Sequence, residues 1–160
     1  MRRDDLLKAR GTLLARVRSA LFLVPAFFAP HRCLRVFFHR LRGVVIGRHV
    51  EIGYCCLLGG VCPDAIHLED NVVVAARSII LDHDNAYYHT CGGEPVRGDV
   101  HIREGSFIGV GSVVCPGVEV GPHSIIGALS LVKSDIPSFC VAVGQPAKVI
   151  KRIGHCQNNP

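Results

Sequence analysis

At 160 residues the chain has room for one domain with a substantial core, and too little for two comfortable ones. Val, Ile and Leu supply 47 residues while there is one Met and no Trp, which favours stacked strands over a helical bundle. The net charge of +5 is concentrated in residues 1–42, with ten Lys or Arg against two Asp; residues 43–160 carry eight against eleven. The basic residues form no recognised nucleic-acid-binding module, so no nucleic-acid partner is expected.

Residues 1–42 form a basic, amphipathic segment. Leu6, Leu7, Leu13, Leu14, Val17 and Leu21 fit one helical face, with Arg10, Arg16 and Arg18 elsewhere and Pro25 expected to end or kink the helix. The run Ala20–Ala29 is too short to span a bilayer, which takes ~20 residues. Phe27-Phe28-Ala29-Pro30 is a poor signal-peptide cleavage site. Two roles suit the segment: a cap on the exposed edge of the following array, or contact with an anionic membrane surface. The eight cysteines include no CxxC pair or zinc spacing, so they read as small apolar residues in a reducing, cytoplasmic setting, with no metal expected.

From residue 43 the pattern changes to a period of six. Ile46, Ile52 and Leu58 set a frame; four inserted residues reset it to Leu68, Val74 and Ile80. Ten more reset it to Val96, from which Ile102, Ile108, Val114, Val120, Ile126 and Val132 follow. Four residues after most anchors stands a small residue, and Gly follows the anchor at 47, 53, 59, 109, 121 and 127, read as a corner glycine with dihedrals closed to other residues. One short strand and one tight corner per six residues, repeated, define a stacked solenoid. A sandwich with turns every 8–12 residues does not hold a fixed period of six.

The longest interruption, residues 82–95, carries Asp82, His83, Asp84, Tyr87, Tyr88, His89 and Glu94. A polar loop thrown from a strict array is where function concentrates. An imidazole, with an ordinary pKa near 6.5, can take a proton from an attacking alcohol or amine at neutral pH. His83 is the favoured base and His89 its rival, with Asp82 or Asp84 available to orient the ring. His49, His67, His101 and His123 occupy outward positions in the array and read as solvent-facing.

The repeat, the entry Ile80-Leu81-Asp82-His83-Asp84, and the closing segments Lys133-Ser134-Asp135-Ile136-Pro137 and Gly144-Gln145-Pro146-Ala147-Lys148 together resemble the hexapeptide-repeat acyltransferases, including the maltose, galactoside and polysaccharide O-acetyltransferases. The resemblance implies an all-β fold, a left-handed parallel β-helix of three hexads per coil, here with a helical N-terminal segment. It divides the chain into residues 1–42, a β-helix acyltransferase domain over 43–153 and a tail over 154–160. It further implies a homotrimer, acetyl-CoA as acyl donor, no metal, and a small-molecule or lipid-linked sugar acceptor. His83 would be catalytic, Val110 and Ala128 would meet the pantetheine arm, and Lys133, Lys148 and Lys151 the nucleotide. Phe107 stands where many members have Trp, and Leu129 where they have Gly. The location implied is cytoplasmic, extending to the inner face of the membrane. A hydratase of the γ-carbonic anhydrase type would need a Gly-His-x-x-x-x-His element that the chain lacks. A scaffold protein with a degenerate site is the remaining alternative.

Overall fold

The computed structural model describes residues 13–154. Two helices, α1 (Leu13–Phe28) and α2 (Arg32–Arg42), precede the array. The first coil is β1 (Val45–Ile46), β2 (Glu51–Ile52) and β3 (Leu57–Leu58), followed by a 3-10 turn at Pro63–Ala65. The second is β4 (Ile66–Leu68), β5 (Val73–Val74) and β6 (Ile79–Ile80). The loop then inserts β7 (His83–Asp84), α3 (Ala86–Cys91) and β8 (Val96–Arg97). β9 (Val100–Ile102), β10 (Phe107–Ile108) and β11 (Val113–Val114) form the third coil, and β12 (Glu119–Val120), β13 (Ile125–Ile126) and β14 (Leu131–Val132) the fourth. A hairpin of β15 (Cys140–Gly144) and β16 (Ala147–Arg152) closes the array.

Strands stack in parallel into three faces. Ile46, Leu68, Ile102 and Val120 are successive partners on the first face. Ile52, Val74, Ile108, Ile126 and Ala142 follow on the second, and Leu58, Ile80, Val114 and Val132 on the third. From Leu68 onward the residues in these columns are essentially inaccessible and form one continuous aliphatic core. Burial of stacked Val, Ile and Leu, each contributing roughly 1.5–3 kcal/mol, is what the six-residue period encodes.

Two expectations need correction. Val96 is not an anchor: it pairs with Asp84 in the loop hairpin and is 52% exposed. The third coil starts at Ile102, so the insertion is longer than the sequence frame suggested. Nor do most of the glycines after anchors serve unusual dihedrals. A Cβ on Gly109 would lie 2.5 Å from the Ala128 nitrogen, so the requirement is close approach between coils. The left-handed corner comes three residues after the anchor, at His49, Cys55, Asn71, Arg77, Gly105, Gly111, Gly117, His123, Leu129 and Phe139.

The small residues at the next position point inward and join coils. Ser106 Oγ donates to Gly121 O (2.8 Å) and accepts from Ser124 N (3.3 Å). Ser112 Oγ repeats this with Gly127 O (2.9 Å) and Ser130 N (3.2 Å). Each hydroxyl thus satisfies backbone groups that a buried corner would orphan. Cys56, Cys62 and Cys140 are buried, and no disulfide joins the described cysteines.

At the N-terminal end the carbonyls of the first coil have no strand to pair with among the described residues. Three arginines of α2 meet them, one per face. Arg40 Nη2 donates to Ile46 O (3.2 Å) and Gly47 O (2.5 Å), Arg35 Nε to Ile52 O (2.7 Å), and Arg42 to Leu58 O (3.0 Å) and Gly59 O (2.6 Å). Arg42 is 2% exposed. The basic residues here do structural work at a sheet edge. Pro25 lies inside α1 and does not end it. Leu13, Leu14, Val17 and Leu21 face solvent, while Leu6, Leu7, Arg10 and the tail beyond 154 lie outside the described residues.

Candidate active site

Ile80 fixes the last inward position before the loop, so the next residues leave the array at one corner of the prism. Asp82, 4% exposed, is held there by the preceding coil. Its Oδ1 accepts from Gly60 N (2.9 Å), and its Oδ2 from Val61 N (3.0 Å) and Cys62 N. Successive backbone amides converging on one carboxylate form an anion-binding nest. Burial on its own would raise the Asp82 carboxyl, but the Cys62 and Gly60 amides and the His83 ring outweigh it and hold the group below the usual carboxylate range.

That carboxylate orients His83. Nδ1 of His83 lies 2.8 Å from Asp82 Oδ1. With an ionised acceptor there, the neutral ring carries its proton on Nδ1 and leaves the Nε2 lone pair available. The choice left open by the sequence between two aspartates is settled by geometry: Asp84 is exposed and accepts from Ala86 N at the start of α3 (2.8 Å). Asp82 and His83 open onto a cavity of about 370 Å³ lined also by Cys62, Ala65, Arg97, Gly98 and Asp99. Arg97 reaches it because β8 pairs antiparallel with β7, placing Arg97 opposite His83. His89 sits exposed on α3, packs edge-on against Tyr88, and is not among the lining residues. A basic ring held by a buried carboxylate beside a polar cavity can accept a proton from a hydroxyl or amine.

Of the other expected site residues, Val110, Ala128 and Lys133 lie along the edges of the third face, and Lys148 and Lys151 at the C-terminal end of the second. Val110 and Ala128 follow β10 and β13 on successive coils, and Leu129 N donates to Val110 O (2.9 Å). Lys133 follows β14 on the same edge as His83, two coils further on. Lys148 and Lys151 are on β16, opposite Val143 and Val141, and are exposed. Leu129 is 66% exposed with φ +56° and lies against Gly111. The sequence did not identify the Gly60–Cys62 amides, Arg97 or Asp99. The four-residue slip after Leu58 was the signal for the first of these.

Stacked hexads in three parallel faces, with a carboxylate–histidine pair at the exit of a long loop, define a parallel β-helix that carries a candidate active site at one corner. Residues 99–134, the third and fourth coils, match the family model for the bacterial transferase hexapeptide (six repeats). The chain is 41% identical over 71 residues to a Staphylococcus aureus (strain Mu50) protein named as an acetyltransferase, covering 44% of this chain and 36% of that one. It thus spans about a third of the length of the curated relatives it matches. Among solved structures, a maltose O-acetyltransferase from Clostridium difficile 630 superposes with TM-score 0.64 at 26% identity, over 88% of this chain and 85% of that one. A hexapeptide-repeat acetyltransferase from Vibrio cholerae, solved with acetyl-CoA, shares the fold with TM-score 0.64 at 18% identity over 88% of each chain.

Proposed function

We propose that this protein transfers an acetyl group from acetyl-CoA to a hydroxyl or amine of a sugar or polysaccharide precursor, with His83 as general base and Asp82 orienting it. The observation that carries the reading is the buried Asp82 carboxylate bonded to His83 at the wall of a polar cavity. The acceptor's proton passes to His83 Nε2 as its oxygen or nitrogen attacks the thioester carbonyl. Collapse of the tetrahedral intermediate expels the CoA thiolate. A backbone N–H at a coil corner would meet the developing oxyanion. Val110 and Ala128 would border the pantetheine arm, and Lys133, Lys148 and Lys151 the phosphates, where cations strengthen binding.

In this reading the β-helix is left-handed and the protein is a cytoplasmic homotrimer. The outward ladders support assembly: Val73, Phe107, Ile125 and Val141 on the second face, and Leu57, Ile79, Val113 and Leu131 on the third, are all apolar. Covering them would give the His83 cavity a second wall. On α1, Leu14, Val17, Leu21, Val24 and Phe28 form an exposed stripe flanked by Arg16 and Arg18, which suits contact with an anionic membrane and a lipid-linked acceptor. Equal sedimentation with anionic and zwitterionic vesicles would remove that contact from the account.

Calorimetric titration with acetyl-CoA tests the donor site. Micromolar binding weakened about tenfold or more in Lys148→Ala is expected. No binding at millimolar donor would leave a scaffold role.

A further inference from the structure

The outward side of the first face carries a group of ligating side chains that the transferase reading does not use. His67 on β4 and His101 on β9 are register partners on adjacent coils, and their rings stack with centroids 4.5 Å apart and planes 14° from parallel. Asp99, two residues before His101, brings a carboxylate beside them. One ligand atom from each of the three lies within 4.8 Å of the others, and all three residues are half-buried.

We propose that His67, Asp99 and His101 bind a divalent cation of the zinc class. Two imidazoles and one carboxylate leaving a fourth position for water is a donor set zinc accepts, whereas magnesium and calcium ask for oxygen throughout. The spacing suits it as well. Neighbouring strands are ~4.8 Å apart, so register-paired histidines can converge on one ion. Tetrahedral coordination at about 2.0–2.1 Å separates ligand atoms by about 3.3 Å, so binding turns the two rings out of their stack and draws the three ligand atoms together. Glu119, the next residue on this ladder, is not a ligand because Arg103 holds it at 2.6 Å while bonding Glu69 at 2.7 Å.

The position gives the ion a role. β4 precedes the long loop and β9 follows it, and Asp99 lies where the loop rejoins the array and also lines the His83 cavity. A cation bound to all three ties the returning chain to the coil before the loop and fixes one wall of that cavity. It takes no part in acyl transfer, and the proposal stands whether or not His83 is a base.

The test is titration of chelator-treated protein with Zn²⁺ and Co²⁺, followed by calorimetry, visible absorption and thermal melting. One equivalent per chain is expected, with tetrahedral Co²⁺ bands and no thiolate charge-transfer band. His67→Ala and His101→Ala should each weaken binding at least about tenfold. Asp99→Asn should weaken it less, and His123→Ala not at all. Zn²⁺ should raise the melting midpoint of wild type but not of the His67→Ala/His101→Ala double variant. Melting without metal checks that the variants are folded. Absence of binding overturns the proposal, as does binding that survives in the folded double variant or carries a thiolate band.

Discussion

Asp82→Asn separates what the carboxylate does for the fold from what it does for the histidine. The substitution keeps the shape and removes one acceptor oxygen. Four donors converge on the carboxylate: the amides of Gly60, Val61 and Cys62, and Nδ1 of His83. An amide side chain leaves at least one oxygen's worth of these donors facing an NH₂ group. At about 1–3 kcal/mol for each buried donor left unpaired, the folded state should lose on the order of 2–4 kcal/mol. If the NH₂ turns to the ring, Nδ1 must become the acceptor, and the proton moves to the nitrogen meant to receive one. The variant should then lose most of the general-base contribution, roughly 10²–10⁴ in kcat. The assay is CoA release in the presence of maltose or a galactoside, with donor affinity measured separately. His83→Ala should cost as much, and the double variant little more than either, because the two residues act as one unit. A folded Asp82→Asn variant whose kcat stays within a few-fold of wild type would refute the orienting role.

Other consequences concern the fold. Arg42→Met leaves the Leu58 and Gly59 carbonyls without the donor that serves them, so denaturant unfolding should show a loss of about 3 kcal/mol, with Arg40→Met costing far less at its exposed position. Leu129→Gly relieves a left-handed backbone at a side chain that buries little; after the entropy added to the unfolded chain it should stabilise by about 0.5–1 kcal/mol and, by widening the groove, tighten acetyl-CoA binding. His39 is fully buried, and desolvation, then the Arg42 charge, pushes its pKa down from 6.5 to about 3. Its contribution is therefore complete above pH 6.5 and lost as pH falls toward 3, because the unfolded chain takes a proton that the fold refuses. Stability should drop by roughly 1.4 kcal/mol per pH unit across that window, and His39→Gln should flatten the dependence.

The stacked faces were legible because Ile102 through Val132 repeat without a break, and an inward aliphatic every six residues has no other arrangement that buries it. Val96 misled because a hairpin strand can carry a β-branched residue in the same phase without being in the core. Residues 1–42 suited a cap or a membrane contact, but nothing local in the sequence says that the guanidiniums of Arg35, Arg40 and Arg42 serve carbonyls six or more residues further on. The same holds for Asp82. Its donors are backbone amides some 20 residues earlier, and amides leave no mark on residue type. His83 was legible from its place at the loop entry, and its orientation was not. His67 and His101 looked like two unrelated polar residues because 34 positions separate them, and only the coil register brings their rings together.

The central claim is that His83 removes the acceptor's proton during acyl transfer from CoA. Single-turnover acetyl transfer by wild type and His83→Ala, at donor concentrations saturating for both, measures that step apart from binding. The account predicts equal affinity for acetyl-CoA and a transfer rate reduced about 10²-fold or more in the variant. Transfer at an unchanged rate by His83→Ala would contradict it.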